Sequence, residues 1–145
     1  MAYEELKLEN QLCFPIYAAS RLITRAYQPS LERLGLTYPQ YLVMMVLWEN
    51  DHMSVNDIAH KLILNTNTIT PLLKRMEQLA LLKRQRSKDD ERKVLVSLTE
   101  KGQAMEEQAV QIPIELRQHL AEAHLEKEDL IELKRQLSKI ISLLS

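Results

Sequence analysis

Between residues 54 and 98 the apolar period changes from that of helices to that of strands, and this switch constrains the fold more than any other feature. Ser54-Val55-Asn56-Asp57 reads as a helix start. Ser54 serves as N-cap, and Asp57 takes the third position, where the helix dipole favours an acid. Val55, Ile58, Ala59 and Leu62 then form a short buried stripe, and Ile63-Leu64-Asn65 turns the chain. A further helix points Ile69, Leu72, Leu73, Met76 and Leu79 inward and shows Thr66, Asn67, Thr70, Lys74 and Arg75 on its other side. With Asn65 or Asn67 as cap, Pro71 falls near the first turn, where a missing N–H costs least. The runs LLKRQRS and RKVLVSL then read as two short strands joined by Lys88-Asp89-Asp90-Glu91.

The flanks are helical. Gly is scarce and helix formers are plentiful. Residues 4–34 carry Leu8, Leu12, Ile16, Ala19, Leu22, Ile23 and Ala26 at three- and four-residue steps, and Gly35 can end that helix. Thr37 with Gln40 makes a capping box, with Pro39 in the first turn. The helix it opens runs to about Glu49, with Tyr41, Leu42, Met45 and Val46 along one side. Thr99 caps a long helix to about residue 121, with Pro113 as a kink or break. Leu130, Leu133, Leu137, Ile140 and Leu144 form a heptad seam. Such a seam needs either the chain's own core or a second subunit. The expected fold is mainly α with a small β-hairpin wing. It is one domain over residues 1–145, with a winged helix-turn-helix at 37–98 between helices at 4–34 and 99–144.

Net charge is −1, yet the charge is unevenly spread. Residues 74–93 hold eight Lys or Arg against four acids, while the segments on either side are net negative. A solvated surface and a nucleic-acid face both fit that cluster. The single cysteine excludes an internal disulfide framework and suits a reducing cytoplasm. No leader or membrane-length apolar run is evident. The four histidines lack metal-ligand spacing, two glycines cannot make a phosphate-cradling loop, and Ser, His and Asp form no catalytic motif. No metal, cofactor or catalytic set is expected.

A short helix, a turn, a polar-faced helix and a basic hairpin outline a winged helix-turn-helix. A helix fits the DNA major groove, and a hairpin beside it can place a cation in the minor groove or along phosphates. The DNA-binding candidates are Thr66, Asn67, Thr68, Thr70, Lys74 and Arg75 on the helix, and Arg86, Asp90 and Arg92 on the hairpin.

The stretches LTYPQYLVMMVLWE and LLKRMEQLALLKRQRSKDDERKVLVSLTEKG resemble the MarR family of winged-helix transcriptional regulators. Asp90-Glu91-Arg92 matches that family's Asp-x-Arg wing signature. KLENQLCFPIYAASR resembles the organic hydroperoxide resistance branch, which is thiol-based. The resemblance implies a homodimer that represses transcription from a pseudo-palindromic operator. The helix from about Asn65 would read the DNA, and Asp90 would hold Arg92. Organic hydroperoxide would oxidise Cys13 to a sulfenic acid, with Tyr27 and Tyr38 bonding the reduced thiolate. The sequence departs from relatives at NTNT, residues 65–68, and at Pro15.

The residues leave Cys13 open to two readings. A lone cysteine is often an inert small hydrophobe. Reactivity needs a stabilised thiolate, and no Lys or Arg stands three or four positions away. Tyrosine hydroxyls or a helix N-terminus would have to serve. Tyr17 lies four residues on and can reach Cys13 within the chain. Tyr27, fourteen residues on, lies ~21 Å away along one helix, so it could meet Cys13 only from a second subunit. Pro15 suits a first turn, which would put Cys13 at the N-terminal edge of its helix; otherwise Pro15 kinks an unbroken one. With no second Cys, a sulfenic acid could form a mixed disulfide with a small cellular thiol, pair between molecules or over-oxidise. Two rival functions are a regulator responding to a phenolic or drug-like ligand with Cys13 incidental, and a one-cysteine thiol peroxidase. The basic hairpin argues against the enzyme.

Overall fold

The computed structural model describes residues 3–145. Two short 3-10 turns, Glu4–Leu6 and Leu8–Asn10, precede helix α1, Cys13–Leu34. Then come α2 (Tyr38–Glu49), β1 (Met53–Ser54), α3 (Val55–Leu62), α4 (Thr66–Gln78), β2 (Leu82–Arg86) and β3 (Val94–Leu98). The chain ends with α5 (Glu100–Ala109), α6 (Gln111–Glu122) and α7 (Lys127–Leu144). The sheet is antiparallel in the order β1-β3-β2, with Met53 opposite Val96 and Leu82 opposite Leu98. This is the expected winged helix-turn-helix between helical arms; the two-residue β1 was not foreseen.

Side-chain caps set the helix starts. Thr37 and Gln40 exchange both bonds of the capping box, at 2.9 and 3.4 Å. Ser54 accepts from the Asp57 N–H, Asn65 from the Thr68 N–H and Thr99 from the Gly102 N–H. Each satisfies an orphan donor of a first turn.

Left-handed residues set several helix ends. At α1 Gly35 has φ 70°, and the Leu36 N–H reaches back to the Leu31 carbonyl. The same closure ends α3 at Ile63 (φ 56°), α4 at Ala80 (φ 59°) and α6 at His124 (φ 60°). A side chain with Cβ is unfavourable there, and a β-branched one most of all.

Val43, Met44, Leu47, Ile58, Ile69, Leu73, Met76, Leu81, Leu82 and Val96 form the sealed centre of the core. Each large side chain buried this way contributes roughly 1.5–3 kcal/mol before entropy is counted. Helix α2 is buried on most of its circumference; of the four residues read along one side, Tyr41 and Val46 are buried, Leu42 is half-buried and Met45 is exposed. Leu79, expected inward, is the exposed cap of α4. Pro71 is the sixth residue of α4, in its second turn rather than its first. The helix after Thr99 breaks at Val110, because Pro113 withdraws the N–H that Ala109 would accept and crowds that carbonyl.

The arms are different. Residues 4–12 are not a continuation of α1. Helix α1 buries only Ser30 and Leu31, and α7 buries no side chain. Among the described residues, α1 reaches the core only through its C-terminal part, at Tyr27, Leu31 and Leu34, and the heptad seam of α7 buries no side chain. Among the described residues no helix is long and apolar enough to cross a membrane.

Candidate nucleic-acid interface and thiol site

Helix α4 presents Thr66, Asn67, Thr68, Lys74 and Arg75 to solvent and leaves Thr70 half-buried. The inward residues anchor it: Ile69, Leu73 and Met76 have no exposed surface. Thr68 bonds Asn65 Oδ1 through both its N–H and its hydroxyl, at 2.9 and 3.2 Å, so its hydroxyl takes part in the cap.

In the wing, Arg92 donates to Asp90 three times. Its backbone N–H and Nε meet Oδ1, both at 3.1 Å, and Nη2 meets Oδ2 at 3.4 Å. These bonds hold the Asp90 carboxyl below its ordinary value, first through the guanidinium and then through the backbone N–H. The Arg92 side chain is otherwise 91 % exposed. Arg86 bonds the Glu91 carbonyl at 3.2 Å, bracing the wing loop. The structure therefore brings Arg86, Asp90 and Arg92 together at the wing tip.

Reasoning from sequence missed the tie between wing and helix. Glu77 of α4 accepts from the Arg84 backbone N–H at 2.8 Å and its guanidinium at 3.2 Å. The backbone bond is the leading cause that lowers the Glu77 carboxyl. No helical or strand spacing announces a pair seven residues apart across a turn.

Cys13 is the first residue of α1 and is exposed. No side chain caps this helix. Pro15 sits third in the first turn, as its fixed φ favours. The preceding turns are pinned by amides: Asn10 donates to the Glu4 carbonyl at 2.7 Å, and Gln11 to those of Glu5 and Lys7 at 2.7 and 2.9 Å. Tyr17 is exposed, with the Arg21 guanidinium 4.9 Å from its ring centre.

Tyr27 and Tyr38 lie together, far from the Cys13 of their own chain. Their rings stack at 5.6 Å, and Tyr41 packs 6.1 and 6.3 Å from them. Burial raises all three hydroxyls above the ordinary 10.0, and Tyr41 is pushed up to about 12. At neutral pH all three are therefore protonated and able to donate. Among the described residues no group of three His, Cys, Asp or Glu is placed to hold a metal ion.

Comparison with known proteins agrees with the winged-helix fold. The family described as transcriptional regulator SarA/Rot matches residues 25–108. The organic hydroperoxide resistance transcriptional regulator of Bacillus subtilis is 46% identical over 142 residues, 98% of this chain and 95% of that protein. The HTH-type transcriptional regulator MgrA of Staphylococcus aureus is 36% identical over 95% of this chain and 92% of its own. Among solved structures, reduced AbfR bound to DNA superposes with a TM-score of 0.79 at 34% identity, covering 98% of this chain and 96% of that one. AbfR is a protein of Staphylococcus epidermidis, and its structures include overoxidised and disulfide forms.

Proposed function

We infer the function from one premise: the chain belongs to the MarR-type family of winged-helix transcriptional regulators, close to the organic hydroperoxide resistance branch. It is a transcriptional regulator, and the relatives that place it there are regulators rather than enzymes. The finer reading is a homodimeric repressor that binds a pseudo-palindromic operator and lets go when organic hydroperoxide oxidises Cys13. Residues 37–98 read the DNA, and residues 4–34 and 99–144 build the dimer.

Support for the DNA reading is the exposed polar face of α4 beside an Arg92 oriented by Asp90. Thr66, Asn67, Thr68, Thr70, Lys74 and Arg75 would face the major groove, and Arg86 and Arg92 the backbone or minor groove. Support for the dimer is that most of the apolar stripe of α1 and the whole seam of α7 stay unburied among the described residues.

The observation that carries the sensing reading is the distance between sulfur and hydroxyls. Cys13 opens α1, whereas Tyr27 and Tyr38 pair near its far end, ~21 Å on. Only another subunit can bring a cysteine to that pair. There two hydroxyl donors would hold a thiolate. The thiolate attacks the peroxide: an S–O bond forms, the O–O bond breaks, sulfur loses two electrons, and the alkoxide leaves as alcohol after taking a proton. A small cellular thiol then displaces hydroxide from the sulfenic acid, giving a mixed disulfide and water.

Mass spectrometry after cumene hydroperoxide plus a small thiol tests this. The expected product is one thiol adduct on Cys13; finding only a Cys13–Cys13 crosslink refutes the mixed disulfide.

A further inference from the structure

Trp48 is the only tryptophan of the chain, and its indole N–H donates to the Gly102 carbonyl at 2.9 Å. That bond ties α2 to the first turn of α5. Gly102 is helical, so it is not there for backbone freedom, and glycine weakens a helix relative to alanine. A Cβ at this position would collide with the Leu81 carbonyl oxygen. Glycine is what lets α5 approach the corner between α4 and β2 so closely.

The same corner is gripped three more times. Thr99 Oγ1 donates to the Ala80 carbonyl at 2.6 Å, the Thr99 N–H to that of Leu81 at 3.1 Å, and Lys101 Nζ to that of Leu79 at 2.9 Å. These carbonyls follow the last turn of α4. Helix α5 thus closes the end of α4, and Trp48 holds α5 in place.

On its other side Trp48 meets Tyr41 edge-on, with ring centres 6.4 Å apart. Tyr41 in turn packs on Tyr27 and Tyr38. The row of rings therefore runs from α1, through α2, to the corner that ends α4.

We propose that Trp48 is a positioning residue for DNA reading: it links the Tyr27–Tyr38–Tyr41 cluster to the α4–β2 corner, so that a change at the cluster alters how α4 is seated. This rests on the DNA-binding and thiol-sensing reading above. Close-packed rings pass on a displacement instead of absorbing it. An oxidised or thiol-bearing Cys13 at the cluster would move Tyr41, and with it the Trp48 ring. The Gly102 bond then loosens, and α5 can back away from Leu81.

The test has two arms, both with a duplex selected by the protein from a random-sequence pool. In Cys13→Ser, emission from Trp48 is followed as duplex is added. A shift is expected; unchanged emission overturns the link, whatever Cys13 does. In the second arm Trp48→Phe keeps a ring and removes the donor. With the Gly102 bond gone, the reduced variant should already bind about tenfold more weakly than wild type. The factor by which hydroperoxide weakens binding should shrink about tenfold relative to wild type. A variant that loses affinity by the wild-type factor overturns the proposal. Wild type indifferent to hydroperoxide refutes the sensing reading instead and leaves the first arm to decide the link.

Discussion

The rings of Tyr27 and Tyr38 stack with centres 5.6 Å apart and planes 19° apart, joining the C-terminal half of α1 to the start of α2. The pair is formed within one chain, whereas Cys13 of that chain lies at the opposite end of α1. A sensor that needs all three residues is complete only across two chains.

The tyrosine cluster should make stability fall in alkali. An unfolded tyrosine ionises near 10, while burial, followed by the neighbouring Tyr27 and Tyr38, pushes Tyr41 up to about 12. Above the lower value the unfolded chain sheds protons that the folded chain keeps, so unfolding becomes easier. Denaturation midpoints should hold below about pH 10 and decline towards about 12, and Tyr41→Phe should flatten the decline. A wild-type midpoint constant across that window contradicts this.

Ile63 closes α3 at φ 56°, a conformation that costs a side chain with Cβ roughly 1–2 kcal/mol. Its side chain is 58% exposed, so little packing is at stake. Ile63→Gly should stabilise the protein by about 1 kcal/mol, part of the strain relief being lost to the greater freedom of the unfolded chain. Urea denaturation reads it; a lower midpoint would show that Ile63 packs more than its exposure implies.

Arg92→Ala should weaken binding to all duplexes alike and reduce the salt slope by about one ion. Asp90→Ala should weaken binding less and leave the slope nearly unchanged, since it removes the brace and leaves the charge. Binding at several salt concentrations measures both. An unchanged slope for Arg92→Ala takes the wing off the DNA.

Leu137 lies in the middle of the α7 seam, none of whose side chains is buried among the described residues. Leu137→Glu should shift sedimentation towards monomer at concentrations where wild type is dimeric. A dimer of unchanged strength moves the interface elsewhere.

Helix starts were legible in the sequence because a cap is a local side-chain signal: Thr37, Ser54 and Thr99 each bond an N–H three residues on. The sequence offers both Asn65 and Asn67 as caps and two readings of Pro15; Asn65 is the cap, and α1 begins at Cys13. Helix ends were less legible. Gly35 marks one, but Ile63, Ala80 and His124 take the same left-handed conformation without the residue that advertises it. The seams of α1 and α7 could be read as periodicity, though not what covers them. The ties Glu77–Arg84 and Trp48–Gly102 were invisible, because nothing in local spacing encodes contact across a turn or between distant helices. Of the thiol site, arithmetic on helix rise separates Cys13 from Tyr27, but only the resemblance to a thiol-based family singles out these residues.

Cys13 carries the central claim, and operator binding by wild type and Cys13→Ser, with and without organic hydroperoxide, tests it most directly. Both proteins should bind alike when untreated, and only wild type should release the DNA after treatment. Release by Cys13→Ser as well, or continued binding by wild type whose Cys13 is oxidised, would contradict it.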